Sequence, residues 1–261
     1  MKKIQHICSY FRYLFNAKSK HYAQAPFLYS FITKVLHSKI KNKDLKDISR
    51  LRKILSESEK VITTTDFGAG SNINNSKKRK IKDIAKNSAK NLKFGSLLYR
   101  ICAFYKPKNI IELGTSLGIS TCYLAKAYPN SKVFTFEGCK ETASLAIRNF
   151  YKLELKNINV TIGDFNDTLN SKLKNINHID LAFIDGNHKE KPTISYFEKI
   201  LEYSGNDTIF IFDDIHWSKG MEKAWDYIKA HHKTTLTIDL FFIGIVFLKS
   251  ELSKEDFVLR F

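Results

Sequence analysis

Short apolar runs alternate with helical stripes of apolar positions through the second half of the chain. The runs lie at residues 109–113, 132–137, 158–163, 178–185 and 207–214. Such runs are typical of strands that are buried on both faces of a parallel sheet. Helical spacing begins near residue 120 and returns at 141–153, 192–203 and 219–231, and two closing runs lie at 234–240 and 245–249. This order predicts an α/β fold with a doubly wound, mostly parallel seven-stranded sheet.

The first 106 residues have a different pattern, which predicts a mainly helical extension. Apolar stripes with helical spacing cover 4–15, 27–35 and 45–55, and we expect them to pack against the core. A basic amphipathic helix lying on a membrane is the less favoured explanation. Residues 61–80 begin as a short strand and continue as a glycine-bearing, basic stretch, which predicts a mobile loop or lid. We therefore predict an extension at 1–106 and a second domain at 107–261.

Positive charge is concentrated in the first third of the chain. The net charge is +17, and residues 1–93 hold 22 Lys and Arg against 6 Asp and Glu. The remaining residues are nearly neutral, with 21 against 20. A basic extension can indicate an anionic partner such as nucleic acid, a membrane surface or an acidic substrate. A Lys-rich proteome explains the same excess more simply, and no RNA-binding module is recognisable.

Cysteine spacing and hydropathy predict a soluble cytoplasmic protein. The four cysteines form no CxxC pair and no zinc-binding spacing, which fits a reducing compartment. No convincing signal peptide is visible, because polar residues interrupt the apolar positions at 4–15. The longest apolar run, at 240–248, is far too short to cross a bilayer.

The stretch at 109–122 combines a predicted strand, a turn with two glycines and the start of a helix. A dinucleotide loop of the G-x-G-x-x-G type would need glycine at Ser116. The letters at 114–118 also match a G-x-S-x-G nucleophile elbow around Ser116, but an elbow normally follows several strands. Glu112 would repel a pyrophosphate and attract a cationic ligand. A simple connecting turn is the remaining explanation, and the similar letters at 66–71 have no following helix and strand.

Each of the five predicted parallel strands ends at or beside a carboxylate. These acids are Glu112, Glu137, Asp164, Asp185 and the pair Asp213 and Asp214. Ligands of open α/β sheets bind outside the carboxyl ends of the strands. Helix capping could explain one or two of the acids, but five in succession indicate a binding edge.

The residues Glu112 to Gly118 resemble motif I of class I S-adenosylmethionine-dependent methyltransferases, a Rossmann-like family, and the resemblance covers 109–250. It implies that Glu137 binds ribose hydroxyls and that Asp164 accepts from the adenine amino group, with Phe165 or a neighbouring residue stacking on the base. Glu112 would lie near the amino-acid end of the cofactor or hold the loop. The cofactor residues expected from this resemblance are Glu112, Gly114, Thr115, Ser116, Gly118, Ser120, Glu137, Gly138, Asp164, Phe165 and Asp185.

The segments at 183–188 and 211–217 resemble the paired motifs of metal-dependent O-methyltransferases of the catechol and caffeoyl-CoA type. The resemblance implies that Asp185, Asp213 and Asp214 hold Mg²⁺ or another divalent cation. Asp214 departs from the family pattern, which has Asn at this position. His188 lies three residues after Asp185, where the family has a basic residue, and it is the expected catalytic base beside Asp185. His216 is a weaker candidate for the same role.

The expected activity is methyl transfer from S-adenosylmethionine to a hydroxyl oxygen of a small molecule. A homodimer is a secondary expectation. Three alternatives stay open at this stage: a methyltransferase acting on RNA or another anionic macromolecule, a serine hydrolase using Ser116, and a binding protein without catalysis.

Overall fold

The computed structural model describes residues 2–17, 26–40, 42–64, 78–87 and 91–261. The described helices are α1 (Lys2–Asn16), α2 (Pro26–Phe31), α3 (Asn42–Glu57), α4 (Ile81–Asn87), α5 (Leu92–Tyr105), α6 (Ile119–Ala127), α7 (Lys140–Lys152), α8 (Phe165–Leu173), α9 (Glu190–Leu201) and α10 (Lys219–Ala230). The described strands are β1 (Val61–Thr63), β2 (Lys78–Lys80), β3 (Asn109–Leu113), β4 (Lys132–Glu137), β5 (Ile158–Ile162), β6 (Ile179–Ile184), β7 (Ser204–Asp213), β8 (Leu236–Asp239), β9 (Ile243–Phe247) and β10 (Glu255–Val258). A π-helical turn, Ile32–Leu36, follows α2.

The chain divides into two units. The central unit is Thr33–Lys174, and the terminal unit combines Met1–Ile32 with Asn175–Phe261. The boundary that the sequence predicts near residue 106 stays a prediction. Within the described residues, no helix is both long enough and apolar enough to cross a membrane.

Eight strands form one sheet, in the order β10-β8-β9-β7-β6-β3-β4-β5, and β1 pairs separately with β2. In the central unit β3, β4 and β5 are parallel. In the terminal unit β6 and β7 are parallel, whereas β9 runs antiparallel to both β7 and β8. The predicted doubly wound, mostly parallel sheet is therefore confirmed. The predicted strand number of seven was one too low.

The eighth strand, β10, pairs in parallel with β8. Its four residues are half acidic, and their burial ranges only from exposed to intermediate. A strand this short and this polar gives almost no hydrophobic signal, so its position depends on the pairing partner. This explains why the alternation of apolar and polar residues did not predict it.

The sequence pattern predicts that β7 begins at residue 207, later than in the structure, and it does not predict α8. Strand β7 begins at Ser204, in a segment that reads as a turn. There Thr208 accepts a hydrogen bond from the Gly205 backbone N–H at 2.9 Å and donates one to the Ile179 carbonyl at 2.6 Å. These bonds continue the strand through polar residues that would otherwise favour a loop.

The buried face of α1 differs from the predicted one. Phe11 and Phe15 are 56% and 88% exposed, although both belong to the apolar stripe expected to face the core. Tyr13 is buried instead, and its hydroxyl donates to the Leu259 carbonyl at 2.5 Å. A tyrosine can bury its ring and still satisfy its polar end, so it competes with phenylalanine for such a position. The stripe on α3 is confirmed, since Leu45, Ile48, Leu51 and Leu55 are all buried.

The two short strands β1 and β2 form an antiparallel pair, with Val61 opposite Lys80. The connecting residues 65–77, including the motif-like letters at 66–71, lie outside the described residues. Thr63 at the end of β1 donates its backbone N–H to the Glu141 carboxylate at 2.8 Å. The Cys139 thiol lies 3.6 Å from the Thr63 carbonyl oxygen. The strand pair is therefore attached to the residues that begin α7.

Candidate functional site

The turn between β3 and α6 contains three residues with positive φ angles, a backbone conformation that favours glycine. Gly114, Ser116 and Gly118 have φ angles of 106°, 49° and 82°. A Cβ atom added to Gly118 would lie 2.4 Å from the Phe150 ring, which is closer than real Cβ contacts allow. Glycine at 118 is therefore required twice, for the positive φ angle and for the close approach of α7.

Neighbouring elements hold this turn in place. The backbone N–H groups of Gly114 and Thr115 both donate to the Phe136 carbonyl of β4 at 3.0 Å. The Asn149 side chain of α7 donates to the Leu117 carbonyl at 3.0 Å. No side chain caps the N-terminus of α6. The partial positive charge at the start of that helix can therefore stabilise an anionic group of a ligand.

Glu112 is fully buried beneath the turn and is surrounded by hydroxyl groups. Its Oε2 accepts from Thr121 at 2.5 Å and from Thr135 at 2.6 Å. Because the Thr135 proton is used in this bond, Thr115 must be the donor in the 2.6 Å Thr115–Thr135 contact. Glu112 thus ties β3 to β4 and α6, which fits the expectation that it holds the loop.

Burial raises the pKa of Glu112 to about 7, although hydrogen bonds from Ser120, Thr121 and Thr135 oppose the shift. The ordinary pKa is 4.5, so the folded protein binds more protons than the unfolded chain between pH 4.5 and about 7. The free energy of unfolding should therefore fall by about 3 kcal/mol as pH rises through this window.

Glu112→Gln should remove this pH dependence, because the amide does not titrate. The measurement is urea unfolding of the ligand-free protein at several pH values between 4 and 8, with the wild type and the variant compared at each. If the free energy of unfolding changed with pH in the same way for the two proteins, the assignment to Glu112 would be wrong.

Glu137, at the end of β4, contacts the backbone on both sides of its carboxylate. Oε2 accepts from the Ser116 N–H at 2.8 Å, and Oε1 accepts from the Cys139 N–H at 2.9 Å. Gly138 is half-buried between these two contacts. A carboxylate oxygen can accept more than one hydrogen bond, and a ribose hydroxyl is a donor of the kind that it accepts from.

Asp164 caps a helix, which was the simpler explanation offered for the acids. Its Oδ1 accepts from the Asn166 N–H at 2.8 Å at the start of α8. Phe165 follows it, edge-on to Phe136 with ring centroids 6.4 Å apart. Ser120 lies buried in the first turn of α6. The predicted cofactor residues of the central unit therefore surround the ends of β3, β4 and β5.

The nucleophile-elbow interpretation loses support from the sheet order. Strand β3 is the first strand of the eight-stranded sheet in chain order, because β1 and β2 form a separate pair. An elbow serine normally follows several strands of its own sheet. Ser116 instead uses its backbone N–H to hold Glu137.

In the terminal unit, Asp185, His188 and Asp213 form a cluster. One ligand atom of each residue lies within 4.8 Å of the other two. Asp185 directly follows β6, and Asp213 ends the neighbouring parallel strand β7. The His188 Nε2 atom lies 3.6 Å from the Asp185 Oδ1 atom. Asp213 is the most buried of the three, with 4% of its surface exposed.

Two turns with positive φ angles decide which side chains join this cluster. Asn187 and His188 have φ angles of 67° and 20°, and this turn returns His188 towards Asp185. Asp214 has a φ angle of 55°, and its N–H donates to the Phe242 carbonyl at 2.6 Å. The cluster therefore contains His188, which was predicted only as a base, and does not contain Asp214, which was predicted as a ligand.

His216, the weaker candidate base, belongs to a different network. Its Nε2 lies 2.7 Å from the Asp239 carboxylate, and its Nδ1 lies 3.5 Å from Glu222. Burial lowers the pKa of His216, but the hydrogen bond and charge of Asp239, helped by Glu222, raise it above the ordinary value. The ring also stacks on Phe241 at 5.2 Å. These contacts position His216 as an anchor of the β8–β9 turn.

Sequence reasoning missed several polar residues in the site and in the neighbouring network of His216. Thr121 and Thr135 are fully buried on otherwise apolar elements, which is the signal that could have revealed them. Asp239 lies at the end of β8 and accepts from the Phe241 N–H at 2.7 Å in addition to its contact with His216. Buried polar side chains usually have hydrogen-bond partners, so each marks a contact with another element.

The chain is similar to known methyltransferases in sequence and in fold. Residues 111–215 match the family described as "Methyltransferase domain". A catechol O-methyltransferase from Niastella koreensis is 31% identical over 126 residues, covering 47% of this chain and 55% of that protein. The chain thus spans about half the length of this curated relative.

Three solved structures illustrate the likeness of fold. The O-methyltransferase from Bacillus cereus, in complex with SAH, has a TM-score of 0.56 at 19% identity and covers 84% of this chain and 96% of its own. The SAH-bound methyltransferase from Podospora anserina has a TM-score of 0.57 at 16% identity, with 64% and 82% covered. The O-methyltransferase of tomaymycin synthesis from Streptomyces achromogenes, in complex with SAM, has a TM-score of 0.53 at 18% identity, with 63% and 83% covered. Residues 111–215 of the chain thus match a methyltransferase-domain family, and the chain shares the fold of these solved methyltransferases.

Proposed function

We propose that this protein transfers a methyl group from S-adenosylmethionine to a hydroxyl oxygen of a small molecule. The observation that carries the proposal is the turn between β3 and α6, which combines an uncapped helix start with the Glu137 carboxylate. The curated relative is named as a catechol O-methyltransferase, which supports an oxygen acceptor. The predicted cytoplasmic location and homodimer belong to this proposal as untested expectations.

The proposed cofactor site uses the backbone and carboxylates of the central unit. The helix start of α6 would stabilise the carboxylate of the methionine part. Glu137 would accept from the ribose hydroxyls, Asp164 from the adenine amino group, and Phe165 would pack on the base. Glu112 would act beneath the turn, because its bonds to Thr121 and Thr135 keep β3, β4 and α6 in register.

The proposed acceptor site uses the acidic cluster of the terminal unit. Two carboxylates and one imidazole with ligand atoms within 4.8 Å fit a divalent cation, and their oxygen majority favours Mg²⁺ or Mn²⁺ over a zinc site. A bound cation would hold neighbouring oxygens of the acceptor and make its hydroxyl more acidic. Asp185, His188 and Asp213 are the proposed ligands.

His188 carries two proposed roles that differ in one measurable respect. As a ligand, it would hold the cation through the nitrogen that faces Asp185. As a base, His188 would accept the proton of the acceptor hydroxyl at its Nε2 atom, and the cation would bind without His188 as a ligand. His188→Ala weakens the binding of Mn²⁺ in the first case and lowers turnover alone in the second. The three-residue cluster favours the ligand role.

The chemistry asks little else of the protein. Methyl transfer is an in-line displacement, so the site must hold the two reactants in line and exclude water. Correct placement alone can supply about 7–11 kcal/mol of the barrier reduction. The predicted lid at 61–80 would help to exclude water, and β1 already contacts the residues that follow Glu137.

The decisive test is transfer of labelled methyl from S-adenosylmethionine to catechol in the presence of Mg²⁺. We expect a labelled methyl ether, and no product from benzene, which has no hydroxyl group. An RNA substrate tested in parallel distinguishes the main alternative. Absence of both S-adenosylhomocysteine binding and methyl transfer would refute the proposed function.

Glu137→Ala should weaken S-adenosylhomocysteine binding by about 1–3 kcal/mol, because a charged hydrogen bond to ribose is lost. Isothermal calorimetry measures this affinity directly. Asp167→Ala is the control, since it removes the same charge from an exposed position in the first turn of α8. Equal affinities for the wild type and Glu137→Ala would remove Glu137 from the cofactor site.

A further inference from the structure

An open surface cavity of about 700 Å³ lies along α3 and α5 in the central unit. Small-molecule sites in proteins typically have volumes of about 300–1,000 Å³. None of the residues that line this cavity belongs to the turn after β3 or to the acidic cluster. The proposed methyl transfer therefore gives this cavity no role.

The charged residues that line the cavity are all basic. They are Lys43, Lys46 and Arg100, and no acidic residue appears among the described lining residues. Asp47, the neighbour of Lys46, forms an ion pair with Lys126 at 3.0 Å, and this bond lowers the Asp47 pKa. The cavity thus combines three positive charges, which favours an anionic ligand.

Arg100 has the position and chemistry of a phosphate-binding group. It is half-buried in the wall formed by α5, and burial lowers its pKa. A guanidinium group binds phosphate oxygens through two parallel hydrogen bonds, and the interaction strengthens when water is partly excluded. Ser96 lies four residues earlier on the same face of α5, and Ser49 of α3 adds a second lining hydroxyl.

Apolar side chains complete the lining. Leu45 is buried, whereas Leu92 is 54% exposed and would lose water contact if a ligand occupied the cavity. A purely inorganic anion would not use these contacts. We propose that the cavity binds a phosphate ester that carries a small apolar or aromatic group, at a site separate from the proposed methyl transfer.

The test uses phenyl phosphate, inorganic phosphate and benzyl alcohol as calorimetric probes of the wild-type protein at constant ionic strength. We expect phenyl phosphate to bind more tightly than inorganic phosphate, and benzyl alcohol to show no binding. The affinity for phenyl phosphate should fall as salt is raised. Benzyl alcohol binding as tightly as phenyl phosphate, or inorganic phosphate doing so, would overturn the proposal.

Variants locate the site. Lys46→Gln and Arg100→Gln should each weaken phenyl phosphate binding about tenfold, the factor expected for loss of one charged contact. Lys53→Gln is the matched control, because it removes the same charge from an exposed position of α3 outside the cavity. Lys46 is also exposed, so its variant tests the site even if Arg100→Gln does not fold. Equal losses in Lys46→Gln and Lys53→Gln would overturn the assignment.

A lipid headgroup could present the same chemistry as a soluble ester. Sedimentation with phosphatidylcholine vesicles that contain phosphatidic acid distinguishes the two sources. Vesicle binding that Lys46→Gln abolishes and Lys53→Gln preserves would identify a lipid phosphate. Phenyl phosphate binding without vesicle binding would identify a soluble ester. Neither readout depends on methyl transfer, so failure of the proposed function leaves this test intact.

Discussion

Gly118→Ala is expected to lower the free energy of unfolding by about 2–5 kcal/mol and to abolish measurable S-adenosylhomocysteine binding. Left-handed backbone costs a residue with a Cβ atom about 1–2 kcal/mol, and overpacking of a core costs about 1–3 kcal/mol more. Both apply here, because the φ angle is 82° and the added atom would lie 2.4 Å from the buried Phe150 ring. Relief of the overlap would move the turn away from α7 and disturb the start of α6. Urea unfolding and calorimetry measure the two effects.

Gly220→Ala provides the matched control for this prediction. Gly220 lies in the first turn of α10, its φ angle is not positive, and the nearest atoms to an added Cβ are at 3.6 Å. Alanine is a better helix former than glycine, so this variant should be as stable as the wild type or slightly more so. A Gly118→Ala protein within 0.5 kcal/mol of the wild type, a margin of about the size seen for neutral surface changes, would show that the turn can rearrange freely.

Asp213→Asn is expected to lower turnover of a hydroxylated acceptor at least about 100-fold. Substitution of a residue that only supports a metal ligand typically costs about 10- to 100-fold, and Asp213 is itself a proposed ligand. Asp213 is the most buried member of the cluster. Because its carboxylate lies below the surface, an exposed side chain cannot easily take its place as a ligand. EDTA should have a comparable effect on the wild type, and Mg²⁺ or Mn²⁺ should restore activity. Calorimetric titration with Mn²⁺ provides a readout that does not require turnover, and Asp213→Asn should weaken this binding as well.

Asp214→Asn tests whether Asp214 is one of the metal ligands. This variant makes the same chemical change as Asp213→Asn, one residue further along the chain. Asparagine tolerates the φ angle of 55° at this position. The cluster does not include Asp214, so we expect Mn²⁺ binding to change little in this variant. Equal loss of Mn²⁺ binding in the two variants would restore the sequence-based set of Asp185, Asp213 and Asp214. Full activity of the wild type in EDTA would contradict the metal altogether.

Much of the fold could be predicted because its strands are buried on both faces. Such strands appear as continuous apolar runs, and β3 and β4 have the predicted bounds, while the others differ from theirs by a few residues. Strand β10 and the face of α1 were not predictable in this way. The pairing of β10 depends on the edge of β8, and Tyr13 is buried because the Leu259 carbonyl accepts its proton. Both depend on partners more than 15 residues away in the chain.

The sequence by itself determined that acids end successive strands and that a glycine turn follows β3. It determined this because strand ends and turn residues are local features. Only the tertiary structure decided which of these groups meet. The positive φ angles of Asn187, His188 and Asp214 bring one imidazole into the cluster and leave one carboxylate out. Likewise, Glu112 is a buried anchor rather than an exposed acid because Thr121 and Thr135 converge on it from a separate helix and strand.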